Sequence, residues 1–448
     1  MMESLTDLRD SLTGDVLTPA DGEYERARLC FNLLIDRRPA AIARCLDAGD
    51  VATALAFAQE HDLEIAVRGG GHNPAGHCAV DGGLVIDLSR MRNVEVDPDA
   101  RIAVSEGGAT WLDFDAATQA HGLVTPGGVV GSTGVTGLTL GGGIGHLTAQ
   151  LGLTCDNLIA AELVTPSGEV VRANGDETPE LLWGLRGGGG NFGVVTRAEF
   201  RLHPLEHVIG GRLAYAGPGV RDTLRAFRDV DGGAGNAISI QAQLSTDEDL
   251  VPTLVVVPCY TGPDENPHEV QALRSAPGIV DDRVRSHGFL DQQRVFDPGY
   301  GVDRNYWKGH FVRELQDELI DLLVDRMSAL GRPPGAILIE SLRGAPKDVE
   351  PESSALGYRE AAFNVSVMAS WTDPSADDVH IAWARETAGT IEPWSISGGY
   401  ANYMQADEPL ERVRAAFGPD SFDRLRALKT RYDPDNVLRR NQNVPPRV

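Results

Sequence analysis

Lysine is almost missing from this chain: Lys308, Lys347 and Lys429 are the only ones, and arginine carries nearly all the positive charge. A basic face is missing too. With a formal net charge of −25 the chain lacks the cationic surface that phosphate contacts need, which excludes nucleic acid as a partner. An acidic, lysine-poor surface suits a salt-rich environment, and a high-GC genome would produce much the same bias. No stretch approaches the ~18 consecutive apolar residues of a membrane span. The opening residues MMESLTDLRDSLTGD have neither the basic nor the apolar region of a signal peptide. The expectation is a cytoplasmic protein with no membrane partner, a monomer or small homo-oligomer. No G-K-[ST] occurs, so a Walker A loop is absent. Cys30, Cys45, Cys78, Cys155 and Cys259 are odd in number, widely spaced and without a C-x-x-C pair, which argues against a disulfide framework or a zinc site.

What remains is an ordinary globular composition, 42% hydrophobic over 448 residues, enough for two packed domains. Residues 36–62 read as helical, with an amphipathic run over Val51–His61. Glu64–Val67, Leu84–Leu88 and Arg101–Val104 read as strands and Thr110–His121 as a helix. After Asp156, LIAAELVTPSGEVVRA reads as two strands joined at Pro166-Ser167-Gly168. From about 205 to 395 strand-like segments (SIQAQL, TLVVVPCY, AILIESL, FNVSVMASW) alternate with helical ones (FVRELQDELIDLLVDRMSAL, DDVHIAWARETAGTI). That pattern predicts an α+β fold, an antiparallel sheet with helices on one face.

Glycine is concentrated in three clusters: 68–72, 122–152 and 186–193. Glycine admits positive φ and lets backbone N–H groups approach a ligand, so long glycine loops between strands suggest a cradle for phosphate oxygens. The run Gly188–Gly193 formally matches G-x-G-x-x-G. That motif needs a helix after it, whereas Val194-Val195-Thr196 and AEFRL are strand residues, so a Rossmann reading fails. In Arg68-Gly69-Gly70-Gly71-His72 the imidazole follows a tight turn that holds it out from the backbone. His77 and Cys78 nearby match no usual metal spacing, and no metal is expected.

Four motifs together resemble the berberine-bridge-enzyme-like branch of the vanillyl-alcohol-oxidase flavoprotein superfamily: RGGGH at 68–72, GLTLGGGIGHL at 137–147, GLTCDN at 152–157 and YDPDNVLRRNQNVPP at 432–446. The resemblance implies a two-subdomain PCMH-type FAD-binding domain over 1–204, a substrate-binding domain over 205–398 whose sheet roofs the flavin, and a segment, 399–448, returning to the FAD domain. It implies FAD bonded covalently through His72 and, as in bicovalent members, through Cys155. The first loop would contact FAD through Arg68, Gly69, Gly70, Gly71, Asn73 and His77. The second would do so through Gly131, Ser132, Thr133, Gly134 and Gly137, and then through Gly141, Gly142, Gly143, Gly145 and His146. Asp156, Gly190, Gly193, Val195, Asn402 and Asn441 complete the expected cofactor set. Gly70 stands where the family usually has serine, Asn73 follows the histidine, and His146 replaces a frequent aromatic.

Alcohol oxidation needs a base for the hydroxyl proton and a hydride acceptor against the carbinol carbon. Gly399-Tyr400-Ala401-Asn402-Tyr403 resembles the family's Y-x-N-Y motif, which implies Tyr403 as the base and Tyr400 as a lining residue. A phenol titrates near ~10 and must be assisted to act near neutrality; Arg359 or a helix terminus is the expected source. Glu340, Ser341, Arg343, Tyr306 and Trp307 are further pocket candidates, subject to strand register. The expectation is an oxidase that takes hydride from an alcohol or a sugar hemiacetal carbon, with O2 as second substrate and hydrogen peroxide as product. The alternatives are oxidation or oxidative cyclisation of a secondary metabolite, a dehydrogenase with poor O2 reactivity, and an idle flavin carrier.

Overall fold

The structure is a computed structural model and describes residues 2–297, 301–329, 335–396 and 398–447. Met1, Val448 and Leu330, which the sequence reading included in its segments, lie outside the described residues.

Strands β1 (Asp15–Leu17), β2 (Ala41–Arg44), β3 (Ile65–Arg68) and β4 (Leu84–Asp87) form a small sheet in the order β1-β2-β4-β3, with β2 and β3 parallel to β4. Helix α1 (Ala48–Glu60) crosses from β2 to β3. The expected helix over 36–62 therefore splits. Ala41, Ile42 and Ala43 are fully buried, and Ile42 and Ala43 pair on both sides, as in an interior strand. The helix starts where the Asp47 carboxylate accepts from the Asp50 N–H.

A second sheet contains β5 (Val94–Asp97), β6 (Ile102–Glu106), β7 (Leu158–Val164), β8 (Val170–Asn174) and β9 (Val194–Arg201), all antiparallel, in the order β5-β6-β9-β7-β8. Strand β9 follows the GGGNFG run directly, as the rejection of a Rossmann turn requires. Helix α2 (Trp111–Gln119) precedes the second glycine cluster and the short α3 (Val135–Leu140) lies within it.

The third sheet is nine-stranded and antiparallel. Its members are β10 (His207–Gly210), β11 (Leu213–Ala216), β12 (Ile238–Thr246), β13 (Pro252–Tyr260), β14 (Ile279–Asp282), β15 (Arg285–Gly288), β16 (Arg304–Val312), β17 (Gly335–Ser341) and β18 (Phe363–Trp371). Helices α4 (Val220–Gly233), α5 (Asp317–Ala329) and α6 (Asp377–Ile391) share its main core cluster. Alternation along β12 sends Ile238, Ile240, Ala242 and Leu244 into that core and turns Gln243 and Ser245 toward the opposite face. Each of the buried Ile238, Ile240 and Leu244 contributes about 1.5–3 kcal/mol, which fixes the register and therefore what the other face displays. Residues 311–312, read as helical, end strand β16 instead.

Helices α7 (Leu410–Phe417) and α8 (Pro419–Tyr432) bury Val413, Phe417, Phe422 and Leu425 in the cluster that holds Trp111, Phe114 and Phe200. Lys429 is wholly buried there. Its Nζ donates to the Asp433 carboxylate at 2.6 Å, the Leu438 carbonyl at 2.8 Å and the Asn191 carbonyl at 3.0 Å, tying the terminal motif to the third glycine loop. Lys308 pairs with Asp407 and Glu408, and exposed Lys347 donates to the carbonyls of Arg359 and Ala361. Burial of its ammonium, then the Arg343 charge, brings Lys347 down to about 8.

Candidate active site

A cavity of about 630 Å³ lies where the glycine loops, the nine-stranded sheet and the terminal segment meet, within the ~300–1,000 Å³ typical of ligand pockets. Gly69, Gly70 and Gly71 form one wall. A Cβ on Gly70 would sit 2.4 Å from the Gly134 nitrogen, so the first two loops cross backbone to backbone with no room for a side chain. Gly71 has φ +72°, which aims the next residue into the cavity. The His72 ring stacks on Phe31 with centroids 5.0 Å apart and planes 5° from parallel. Its Nε2 lies 2.9 Å from the Ser132 hydroxyl and its Nδ1 3.3 Å from that of Thr133. Burial pulls its pKa down to about 4, so the imidazole is neutral and nucleophilic at neutral pH.

Another part of the wall is electropositive. Arg440 lines it, and among the described residues its Nε and the Nε2 of His77 meet no hydrogen-bond partner although buried. Burial, then the charges of Arg440 and Arg37, hold His77 down to about 4. Asn441 donates to the Gly190 carbonyl at 3.2 Å and leaves its own Oδ1 unused. Gly189 has φ +73°, and Gly190, Gly193 and Val195 also line the wall. The buried Arg440 guanidinium and the neutral His77 ring beside glycine backbone suit a phosphate group, and an apolar stretch including Val130, Leu140 and Ile144 suits a ring system. The residues present fit FAD.

The sheet closes the other side with Trp307, Leu338, Met368, Gln243 and Ser245. Below them stands Tyr403, its ring edge-on to Trp307 at 5.4 Å and to Tyr400 at 4.8 Å. The Tyr403 hydroxyl donates to Glu340 Oε1 at 3.3 Å, and Asn364 Nδ2 donates to Oε2 at 2.7 Å. Glu340 is completely buried, and burial pushes its carboxyl up to about 7 against the pull of those two hydrogen bonds. Tyr400 has a different task. Its hydroxyl accepts from the N–H groups of Gly143 and Ile144 at 3.1 and 3.2 Å and from Asn402 at 2.9 Å, while Asn402 also donates to the Leu138 carbonyl. Burial, with Glu340 nearby, raises the Tyr400 phenol.

Several expected site residues are not brought to the cavity. Cys155 does not line it. The thiol is completely buried in a cluster with Ile144, Phe311, Tyr358 and Tyr400, one layer behind the wall. Burial, then Asp156, raises that thiol well above its ordinary range, the reverse of what a thiolate nucleophile needs. Arg68 donates to the carbonyls of Ala27 and Arg28 and braces the first loop from outside. Gly142 accepts from the Cys155 N–H, Gly143 donates to Tyr400, and Gly145 donates to Thr148, so these backbones serve the loop itself. His146 is buried beside Phe296, with Gln292 donating toward its Nδ1.

Asp156 and Arg359 form a buried ion pair with 2.5 Å between nitrogen and oxygen, which occupies the Arg359 guanidinium. Arg343 pairs with Asp231 and lies over Phe363; Ser341 accepts from the Arg343 N–H. Tyr306 bonds Asp407 and Arg385 because alternation along β16 turns it away from the side Trp307 faces. Gly131 and Ser132 act from just outside: Gly131 N–H donates to Asp297 and Ser132 positions His72. Sequence reasoning missed Phe31, which no motif flags. It also missed Gln243, Ser245 and Met368, which period-2 alternation in their strands would have supplied, and Arg440, which sits inside the terminal motif.

Two family models match this chain: an FAD binding domain over residues 39–174 and a "berberine and berberine like" segment over 399–445. An FAD-linked oxidoreductase of Dictyostelium discoideum is 30% identical, covering 98% of this chain and 96% of that protein. (R)-6-hydroxynicotine oxidase of Paenarthrobacter nicotinovorans is also 30% identical, over 97% of each chain. The crystal structure of 6-hydroxy-D-nicotine oxidase from Arthrobacter nicotinovorans superposes with a TM-score of 0.91 at 29% identity, covering 98% of this chain and 99% of that one.

Proposed function

The chain belongs to the berberine-bridge-enzyme-like family of FAD-linked oxidoreductases, and on that premise we propose an oxidase that holds FAD through one covalent bond, at His72, and oxidises a CH–OH carbon with Tyr403 as base. The observation that carries this reading is the Tyr403–Glu340 pair at the wall shared by the His72 cavity and the sheet. When bound, FAD supplies the hydride acceptor and passes the electrons on to O2 as hydrogen peroxide.

Tyr403 need not ionise in advance. As its oxygen takes the substrate hydroxyl proton, its own proton passes to the Glu340 carboxylate, a base poised near neutrality because it is buried. Asn364 holds that carboxylate in place, and Tyr400 fixes the loop beneath. Neutral His72, held by Ser132, Thr133 and Phe31, is the nucleophile for cofactor attachment, whereas Cys155 has neither the position nor the ionisation for a second bond. The roof mixes apolar Leu338, Met368 and Trp307 with uncharged Gln243 and Ser245, which supports a neutral substrate with an apolar portion.

A second reading, oxidation of a small heterocyclic metabolite, draws on the full-length similarity to an oxidase named for 6-hydroxynicotine. A substrate panel of primary alcohols, sugars and heterocyclic amines, followed by peroxide release, separates the two. Turnover confined to the amines overturns the first reading. Equal turnover by Tyr403→Phe overturns the base assignment.

A further inference from the structure

Cys30 and Cys78, which no motif connects, meet in the folded chain. Their sulfurs are 3.2 Å apart across a sequence separation of 48, both thiols are free, and both side chains are almost wholly buried, at 4% and 5% exposure. They also stand at the edge of two hollows. Cys78 lines the large cavity, and Cys30 lines a smaller one of about 270 Å³ on the other side of Gly69–Gly71. The segments they belong to are already joined: the Phe31 N–H donates to the Gly71 carbonyl, Asn32 Nδ2 donates to the Pro74 carbonyl, and Phe31 stacks on His72.

We propose that Cys30 and Cys78 are an oxidation site, closing to a reversible disulfide when peroxide reaches the pair. The sulfurs need to approach by little more than 1 Å to reach the ~2.05 Å of a disulfide. Cys78 is the attacking sulfur: it is the one that lines the large cavity, and the Cys30 sulfur beside it and the nearby Arg68 charge hold its thiol below the ordinary range. Cys45, Cys155 and Cys259 are instead pushed up by burial.

In the first step the Cys78 thiolate attacks one oxygen of hydrogen peroxide. An S–O bond forms, the O–O bond breaks, and the departing hydroxide takes a proton to become water. The Cys30 sulfur then attacks the sulfenic sulfur of Cys78. The S–S bond forms, the S–O bond breaks, and the hydroxyl leaves with the Cys30 proton as a second water. Two thiols and one peroxide thus give a disulfide and two waters, and a dithiol reductant reverses the change. Turnover of the oxidase proposed above is one source of peroxide, but the site requires only peroxide, whatever its origin. The product would tether residues 30–32, and with them the stacking partner of His72, to the first loop.

The test uses the flavin-loaded full-length protein treated with hydrogen peroxide or with dithiothreitol, then denatured, alkylated and peptide-mapped. The expected result is a joined Cys30–Cys78 peptide pair after peroxide, two fewer alkylated thiols, and full recovery with dithiothreitol, while Cys45, Cys155 and Cys259 are alkylated throughout. Cys78→Ser abolishes the loss and leaves Cys30 alkylated. The oxidised protein melts above the reduced one, and the difference vanishes in Cys30→Ser. All five thiols still free after peroxide, Cys78 carried to sulfinic acid with Cys30 free, or a joined pair involving another cysteine overturns the proposal. If the variants do not fold, the map of the unaltered chain decides alone.

Discussion

On the glycine side of the cavity the backbone makes the wall: Gly69 to Gly71, Gly134, Gly137 and Gly190 line it, and Gly70 and Gly134 cross so closely that a Cβ at Gly70 would strike Gly134. On the sheet side the backbone is occupied in its ladder, and Trp307, Leu338, Met368 and Gln243 make the wall with their side chains. The first surface is intolerant, because one methyl group displaces two loops. The second is adjustable, because each side chain can change size while the ladder stays intact. One side therefore suits a rigidly held cofactor, and the other a substrate. Tyr403, from the terminal segment, and Glu340, from the sheet, stand at the seam.

Attacking each side separately breaks or sharpens this contrast. The largest effect is expected on the glycine side: His72→Ala removes all acid-stable flavin, leaving a colourless precipitate, while Cys155→Ala keeps a yellow one. At the seam, Tyr403→Phe lowers kcat by roughly 10²–10⁴-fold without loss of flavin, measured by peroxide release. Glu340 must be ionised to accept the proton, and its carboxyl is raised to about 7. Activity therefore rises with pH through about 7 and falls below it, and Glu340→Gln flattens that limb. The same raised pKa means that the native chain loses stability as pH climbs through this window, so Glu340→Gln melts higher than the parent at alkaline pH. Gly70→Ala costs about 1–3 kcal/mol of stability by overpacking and lowers flavin content, read by thermal melting and absorbance. The smallest effects belong to the roof: Gln243→Ala or Met368→Ala shifts KM by roughly tenfold, about 1.4 kcal/mol, with flavin content unchanged. A loss of flavin in the roof variants would erase the distinction.

The two sides also differed in how far the amino-acid sequence revealed them. A backbone wall is written in residue type, so Gly69, Gly70, Gly71, Gly190 and Gly193 were placed from the text alone. A side-chain wall depends on register: Tyr306 and Trp307 are neighbours in the chain and face opposite ways. Cys155 shows the limit of a motif. GLTCDN marks the right turn, but whether a thiol on that turn points into the cavity or behind it depends on the packing of Ile144, Phe311 and Tyr358. The helix expected over 36–62 failed for a related reason, since a short apolar run such as Ala41–Ala43 reads equally well as helix or interior strand. Glu340 was found as a polar residue near the flavin side, but its burial and its bond to Tyr403 join segments 63 residues apart.

The scarcity of lysine has a practical consequence. Lys429 is sealed in the core and Lys308 is screened by two carboxylates with 13% of its side chain accessible, whereas Lys347 is an exposed residue whose half-buried ammonium, held by the carbonyls of Arg359 and Ala361, is brought down to about 8. Among the lysines, an amine-reactive dye or resin would therefore modify Lys347 in preference to the other two. Immobilised through that side chain, every molecule on a surface would present the same orientation.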